Sequence, residues 1–331
     1  MVRMFLFLLC AGLSGLAQNG TSASRLLVVN IKEHSVLVVA PESGKVVQTI
    51  PIGVSGHEIA LSPDHRFAYV PIYSDAVLGD AGHDGRTIDV IDLKALKVVS
   101  SIDLGRTLRP HQAVFSPEGL LYVTAELANA VEVVDTQKRA VVGEIPTGKP
   151  QTHAIVISPD GLRAYTANVD SGTVSVLDLR ERKLIAVIPV AKRVQRIAIS
   201  ADGRWVFTCD WDAPREAVID TRTLTVSRWI GLKGVPFSNK LTPDGRWLLV
   251  SETKDEKGLL EVVDLNTLQV VKSFMLDAQP FGFLIHGNRA YMSCLTQGKI
   301  EILNLLNWTL EKPIVLTWGT DGMAWIDETA N

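Results

Sequence analysis

The chain has 331 residues, of which 47% are hydrophobic and 21% are charged. This composition is typical of a globular protein and excludes a disordered or collagen-like chain. The formal net charge of −3 lacks the basic excess of a dedicated nucleic-acid-binding protein, so no nucleic-acid partner is expected.

The N-terminal 17 residues have the pattern of a secretory signal peptide. Arg3 supplies a positive charge, residues 5–16 form a short apolar run, and Ala17 completes a small-residue cleavage site. No later apolar run approaches the length of a transmembrane helix. We therefore predict a signal peptide over residues 1–17 and a mature chain that is periplasmic or secreted.

A repeat of about 42 residues runs through the rest of the chain. One marker is a turn of the Ser-Pro-Asp type, and the other is a strand that ends in Asp or Asn. The turns begin at residues 62, 116, 158, 200, 242 and, in degenerate form, 286; the strands end at residues 92, 135, 178, 220, 264 and 304. Each repeat holds four short β-branched runs bounded by turn residues, which indicates a four-stranded propeller blade.

The strand count predicts how the ring of blades closes. Second strands begin near residues 26, 67, 120, 162, 204, 246 and 289, whereas first strands begin near only 57, 111, 153, 195, 237 and 281. The missing first strand is the C-terminal segment 322–327, which would complete the N-terminal blade and remove an exposed sheet edge. We predict an all-β fold in which residues 18–331 form one seven-bladed β-propeller domain with four antiparallel strands per blade.

The second strands carry a further marker. Two of them include Tyr122-Val-Thr-Ala and Tyr165-Thr-Ala-Asn, each between a Ser-Pro turn and a Val-x-Asp strand. With these motifs the chain resembles the YVTN-type β-propeller repeat family over residues 25–327. That family is similar to the haem-binding propellers of nitrite reductase, a copper-binding propeller and seven-bladed lactonases, so the resemblance implies the architecture and leaves the chemistry open.

The recurring aspartates are predicted to shape turns. A carboxylate in such a turn accepts hydrogen bonds from backbone N–H groups about two residues further on. One set follows the third strands and the other lies in the first turns: Asp92, Asp135, Asp178, Asp220 and Asp264, and Asp64, Asp160, Asp202 and Asp244. Trp205 and Trp247 are repeat-equivalent and are predicted to pack between blades.

Three histidines occupy one repeat position, at the start of consecutive first strands: His57, His111 and His153. Antiparallel order places these starts on the same face as the connections between second and third strands, around the central channel. Imidazole is a common ligand of haem and metals and a common general base. Either the three histidines take part in a ligand, haem or metal site at this channel mouth, or they bind only water and backbone there.

The same face carries the other candidate ligand-binding residues. In blade two the connection between second and third strands is lengthened to residues 73–86, which is either a lid with Asp75 and His83 or a solvent-exposed loop. Glu126 shares this face. The remaining candidates are Arg109, Arg196, Asp210, Trp211 and Asp212, and Trp211 is expected to be exposed.

Cys209 and Cys294 are the cysteines that follow the signal peptide. They fall at equivalent ends of second strands, but a whole blade separates them. Their Cα atoms should therefore exceed the distance of about 7 Å that a disulfide allows. We expect two free, partly buried thiols.

Three functions fit these residues, and we rank first an exported, monomeric binding or scaffold module. It would recognise a small molecule, a protein or an envelope component at the channel mouth. The alternative is a haem- or metal-binding propeller that uses His57, His111 and His153; the sequence lacks the Cys-x-x-Cys-His motif of covalent haem attachment. A lactonase-like hydrolase comes third, because no nucleophile motif accompanies the histidines.

Overall fold

Seven four-stranded antiparallel sheets surround a central channel, which confirms the predicted β-propeller. This architecture comes from a computed structural model that describes residues 24–75 and 82–327. The predicted signal peptide and the tip of the blade-two insertion lie outside those residues. Within the described ranges, no helix is long and apolar enough to cross a membrane.

The strands follow one another blade by blade. Blade one contains β1 (Arg25–Asn30), β2 (Ser35–Ala40) and β3 (Lys45–Pro51), and blade two contains β4 (Ala60–Leu61), β5 (Phe67–Pro71), β6 (Thr87–Asp92) and β7 (Lys97–Asp103). Blade three contains β8 (Pro110–Phe115), β9 (Leu121–Ala125), a 3-10 turn (Glu126–Ala128), β10 (Ala130–Asp135) and β11 (Ala140–Pro146). Blade four contains β12 (Thr152–Ile157), β13 (Arg163–Asn168), β14 (Thr173–Asp178) and β15 (Lys183–Pro189).

The remaining blades repeat the same order. Blade five contains β16 (Val194–Ile199), β17 (Trp205–Asp210), β18 (Arg215–Asp220) and β19 (Thr225–Gly231). Blade six contains β20 (Val235–Leu241), β21 (Trp247–Lys254), β22 (Lys257–Asp264) and β23 (Gln269–Leu276). Blade seven contains β24 (Gly282–His286), β25 (Arg289–Cys294), β26 (Lys299–Asn304) and β27 (Thr309–Val315), and the chain then returns to blade one with β28 (Thr320–Ile326).

The C-terminal strand completes the N-terminal blade. β28 lies antiparallel to β1, with Arg25 opposite Ile326 and Asn30 opposite Thr320, and the sheet order is β28-β1-β2-β3. The prediction of ring closure is therefore confirmed, although the strand begins slightly before the predicted segment. The pairing satisfies the inner edge of β1, which would otherwise expose unpaired N–H and C=O groups.

The hydrophobic core lies between the blades. Second and third strands are buried along nearly their whole length because both of their faces pack on neighbouring blades, whereas fourth strands are largely exposed. One core cluster joins Phe207 of blade five to Leu248 of blade six, with Trp205 packed against it. Trp247 meets Trp308 of blade seven edge-on at 5.5 Å. The predicted packing of Trp205 and Trp247 between blades is confirmed.

The repeated aspartates close the turns, as predicted. Asp64 accepts hydrogen bonds from the Ser62 hydroxyl at 2.6 Å and from the Arg66 amide at 3.1 Å, and Asp92 accepts from the Lys94 amide at 2.9 Å. Equivalent bonds recur in other blades.

The two cysteines are free thiols, as predicted, but their expected partial exposure is wrong. Cys209 and Cys294 are each fully buried, because the ends of second strands are covered by the neighbouring blades. Burial raises the pKa of the Cys294 thiol to about 12, so the thiol stays protonated and unreactive at neutral pH.

Candidate functional site

Seven side chains, one from each blade, border the channel mouth. Each stands near the start of a first strand, and together they form what we call the mouth ring: His57, His111, His153, Gln195, Phe237, Phe281 and Asp321. They line a cavity of about 600 Å³. That volume is in the range of small-molecule binding sites.

The polar part of the mouth ring, which we call the imidazole arc, comprises Asp321, His57, His111 and His153 from blades one to four. His57 Nδ1 lies 3.0 Å from Asp321 Oδ2. The His111 ring stacks on His153 at 3.7 Å between centroids and lies 5.4 Å from His57. The structure thus brings the three candidate histidines into one continuous group on one side of the mouth.

A buried carboxylate behind the arc fixes His153. Glu126, in the 3-10 turn after β9, lies with Oε1 2.6 Å from His153 Nδ1, and the Tyr73 hydroxyl donates to Oε2 at 2.8 Å. The Tyr73 ring packs edge-on against His57 at 4.8 Å and against His111 at 5.3 Å. Burial, together with the Glu126 charge, raises the pKa of Tyr73, so its hydroxyl remains a donor.

The environment keeps two of the imidazoles neutral. Burial lowers the pKa of His111, where the nearby charges of His153, Arg196 and His57 act in the same direction. Burial also lowers the pKa of His153, although Glu126 opposes it. Since a carboxylate can only accept, the neutral His153 carries its proton on Nδ1 and a lone pair on Nε2. The Asp321 carboxylate imposes the same tautomer on a neutral His57.

The three histidines lie close together but are not arranged as a cluster of metal ligands in this structure. In the part of the chain that the structure describes, no group of three or more His, Cys, Asp or Glu side chains could hold a metal ion. The possible transition-metal site at His57, His111 and His153 stays a prediction.

The opposite side of the mouth is apolar. We call Phe237, Phe281 and the flanking Trp211 the aromatic arc. Phe237 packs edge-on against Phe281 at 4.6 Å and against Trp211 at 5.9 Å. The Arg193 guanidinium covers the Trp211 ring at 4.5 Å, so Trp211 is half-buried and its expected exposure is wrong.

An ion pair across the channel forms the floor of the mouth. Arg196 of blade five directly follows Gln195 of the mouth ring, and its Nη1 contacts Glu58 Oε1 of blade two. Arg196 is 9% exposed and borders both the mouth cavity and the channel beneath it. The pair therefore separates the two spaces.

Several buried polar atoms around the cavity have no hydrogen-bond partner among the described residues. Three belong to the mouth ring and one to its floor: His111 Nδ1, Gln195 Oε1, Asp321 Oδ1 and Arg196 Nε. A buried polar atom that lacks a partner costs free energy. Four such atoms therefore lie around the mouth cavity, and eight others lie elsewhere among the described residues.

The remaining candidates lie beside or behind the cavity. Asp75 lines the cavity and contacts His83 Nδ1 at 2.7 Å, which raises the pKa of the exposed His83. Arg109 is buried behind the wall, where its Nε donates to Asp84 at 2.7 Å.

Two further candidates form ion pairs outside the cavity lining. The buried Asp210 accepts from Arg215 Nε at 2.7 Å. The more exposed Asp212 pairs with Arg193 at 2.6 Å. Arg109, His83, Asp210 and Asp212 therefore do not line the mouth cavity.

A glycine fixes the base of the blade-two insertion. The Gly85 amide donates to the Tyr73 carbonyl at 2.6 Å, and the Gly85 carbonyl accepts from the amides of Leu108 and Arg109 at 3.1 Å. A Cβ at residue 85 would lie 1.8 Å from the Ile72 carbonyl oxygen, so no other residue fits. The insertion thereby positions Tyr73, whereas the predicted lid lies partly outside the described residues and stays a prediction.

Sequence reasoning missed Asp321 and Tyr73 as site residues. Asp321 could have been found, because Asp321-Gly322 aligns with Phe281-Gly282 at the start of a first strand. Tyr73 lies in the insertion of blade two, so no repeat position marks it as a site residue. Its role depends on the reach of its side chain into the space between two blades.

Comparison with known sequences finds two partial similarities. The Cytochrome D1 heme domain family matches residues 115–240, a segment that contains Glu126, His153 and Arg196. The seven-bladed beta-propeller protein Rv1057 of Mycobacterium tuberculosis is 34% identical over 109 residues, which cover 32% of this chain. The match spans 25% of that relative's length. The predicted resemblance to seven-bladed propellers of the haem-related type is confirmed.

Solved structures share the fold at low sequence identity. Hydrazine synthase of Kuenenia stuttgartiensis has a TM-score of 0.67 at 18% identity, covering 81% of this chain and 88% of the other. A functionally unknown protein from Desulfotomaculum acetoxidans has a TM-score of 0.76 at 14% identity, covering 92% and 99%. The dihydro-heme d1 dehydrogenase NirN in complex with DHE has a TM-score of 0.65 at 15% identity, covering 91% and 74%.

Proposed function

We propose that the channel mouth binds a planar, haem-type small molecule. The observation that carries this proposal is the division of the mouth ring into an imidazole arc and an aromatic arc on opposite sides of one cavity. Aromatic side chains can contact the face of a conjugated macrocycle, and an imidazole nitrogen is a common axial ligand of haem iron. The match to the Cytochrome D1 heme domain family supports the same ligand class.

The residues present fit such a ligand. His57 is the most accessible histidine of the imidazole arc, with 20% of its side chain exposed against 6% for His153. Asp321 holds Nδ1 of His57, which leaves Nε2 for iron and raises its basicity as a ligand. Lys32 at the rim and Arg196 at the floor are the cations that would bind the carboxylates of the macrocycle. When bound, the haem iron would supply electron-transfer chemistry or a site for a further small ligand.

The other functions expected from the sequence stay predictions. A binding module for a protein or envelope component would use the same mouth without a cofactor. A lactonase-like hydrolase would use His57 as general base, since a carboxylate on Nδ1 orients an imidazole for that role. The periplasmic or secreted location and the monomeric state also remain predictions.

The proposal is tested by titrating haem into the purified chain and recording the absorption spectrum. We expect a shifted Soret band that saturates at about one haem per chain. His57→Ala should lose this band because the iron loses its ligand. The matched control is His65→Asn, which changes an exposed histidine with a φ of 53° to a residue that tolerates that conformation.

Two outcomes would contradict the proposal. One is the absence of saturable binding by the folded wild-type chain with both haem and a haem d1-type macrocycle. The other is an unchanged Soret band in His57→Ala. A lactone panel assayed on the same variants would show whether His57 supports hydrolysis instead.

A further inference from the structure

One tryptophan is exposed at the rim of the mouth cavity. Trp318 lies on the connection between β27 and β28, three residues before Asp321 of the mouth ring, and it lines the cavity. Trp318 is 47% exposed, and no other Phe, Tyr or Trp among residues 24–75 and 82–327 is as exposed. A large aromatic ring that is open to a concave site is available to a ligand.

The repeat does not require an aromatic ring at this position. The residues that stand three before the mouth ring in the other blades are small, aliphatic or charged: Val54, Leu108, Pro150, Lys192, Gly234 and Ala278. Six blades therefore form without a ring here, and blade one alone carries one. The packing of the propeller leaves Trp318 unexplained, whereas its place on the cavity wall gives it a use.

The backbone beside Trp318 is fixed in place. The Gly319 carbonyl accepts a hydrogen bond from the Ile31 amide at 2.9 Å, and Asn30 Nδ2 donates to Thr317 Oγ1 at 2.8 Å. Gly319 has a φ of 105°, and a Cβ there would lie 2.7 Å from Asn30 Oδ1, so only glycine fits. An exposed ring on a fixed backbone is a preorganised contact, because little backbone freedom is lost when a ligand binds.

A lysine shares this corner of the rim. Lys32, in the turn between β1 and β2, also lines the cavity, and its Nζ lies 4.7 Å from the centroid of the Trp318 ring. The Lys32 amide donates to Asn30 Oδ1 at 3.0 Å, so the side chain of Asn30 holds the segments of both rim residues. A cation beside an aromatic ring suits a conjugated ligand that carries a carboxylate at its edge.

We propose that Trp318 packs on the conjugated ring system of the macrocycle bound at the mouth and retains it there, with a carboxylate-bearing edge of the macrocycle at Lys32. This inference rests on the proposed function and adds to it a retaining residue and an orientation. His57 would bind the iron, whereas Trp318 would slow release of the ligand without contacting the iron. The two contributions can therefore be measured separately.

Haem release from the purified, haem-loaded chain tests the proposal. The probe is ferric haem, and its transfer to excess apomyoglobin is followed by absorption. We expect Trp318→Ala to release haem about tenfold faster than wild type because a ring contact is lost, with the Soret band unmoved because the iron ligand remains. Trp318→Phe, which keeps an aromatic ring, should restore most of the retention.

The matched control for these variants is Leu306→Ala. Leu306 is 72% exposed and lies in the turn between β26 and β27, at the opposite end of the blade from the mouth. The control removes an exposed apolar side chain away from the cavity, so haem release should keep the wild-type rate.

The orientation is tested with Lys32→Gln and two forms of the probe. Lys32→Gln should release haem about threefold faster, as expected for the loss of an exposed ion pair, and should release haem dimethyl ester at the wild-type rate because its carboxylates are blocked. Trp318→Ala should release both forms faster, since the ring contact does not depend on charge.

The outcomes separate this inference from the proposed function. A wild-type release rate in Trp318→Ala, in a chain that binds haem, would overturn the role of Trp318 and leave the proposed function intact. An equal effect of Lys32→Gln on haem and on its dimethyl ester would overturn the orientation. A wild-type chain that binds neither haem nor a haem d1-type macrocycle would contradict the proposed function and this inference with it.

Discussion

The mouth-ring residues of the two arcs stand at the same repeat position in their blades, yet one arc is polar and the other is aromatic. In the imidazole arc, His57 and His153 are each held by a carboxylate from a neighbouring blade or turn. In the aromatic arc, Phe237 and Phe281 pack edge-on against each other. The repeat therefore determines where a side chain stands, while each blade sets its chemistry independently. A nearly symmetric scaffold thus carries an asymmetric site.

This difference also predicts how each arc responds to substitution. A buried carboxylate that loses its partner keeps its full desolvation cost, whereas a half-buried aromatic ring loses only contact area. The imidazole arc should therefore be the more fragile side of the mouth. Four measurements examine this contrast.

The largest effect is expected for His153→Phe. The substitution places the residue of blade six in blade four, and it leaves Glu126 Oε1 buried without its partner. Breaking a buried pair costs about 3 kcal/mol or more, so the free energy of unfolding in urea should fall by about 3 kcal/mol. A loss under about 1 kcal/mol would show that the Glu126 contact does not stabilise the arc.

A smaller effect is expected for Phe281→Ala in the aromatic arc. A fully buried phenylalanine would cost about 3–5 kcal/mol, but Phe281 is only partly buried beside the cavity, so we expect about 1–2 kcal/mol. The same urea experiment measures it. A cost equal to that of His153→Phe would remove the energetic distinction between the arcs.

The pH dependence of stability should reveal the neutral imidazoles. His111 and His153 resist protonation in the folded state, whereas in the unfolded chain they gain protons below about pH 6.5. The unfolded state then binds more protons, so stability falls as the pH falls below that value. Between pH 7 and 5 we expect Tm to drop by about 3 °C, and the double variant His111→Phe, His153→Phe should show a shallower slope.

The smallest effect is expected for His111→Phe. His111 Nδ1 has no hydrogen-bond partner among the described residues, and a phenyl ring can keep the stacking on His153. Replacing an unpaired buried polar group with an apolar ring of similar shape is nearly neutral, so the change should stay within about 1 kcal/mol. A loss as large as that of His153→Phe would reveal an essential hydrogen bond at His111.

The sequence predicted the fold almost completely because each structural rule recurs in every blade. Turn aspartates, strand lengths and the missing first strand are repeated or counted features, so errors in one copy are corrected by the others. The same reasoning identified the three histidines, because they occupy one repeat position: His57, His111 and His153. Asp321 belongs to the same series and was missed because the last first strand was taken to begin at Gly322.

The rest of the site depends on contacts that no repeat records. Glu126 could be assigned to the correct face, but its bonds to His153 and Tyr73 join different blades. The half-burial of Trp211 results from Phe237 and Arg193, which lie far from each other in sequence.

The pairing of β28 with β1 has a consequence for the order of folding. The two strands stand at opposite ends of the described chain, so their contacts have the greatest sequence separation in the molecule. Such contacts form slowly because a long loop must close first. Until β28 pairs, blade one has only three strands. The mouth ring gains Asp321 only when β28 pairs with β1.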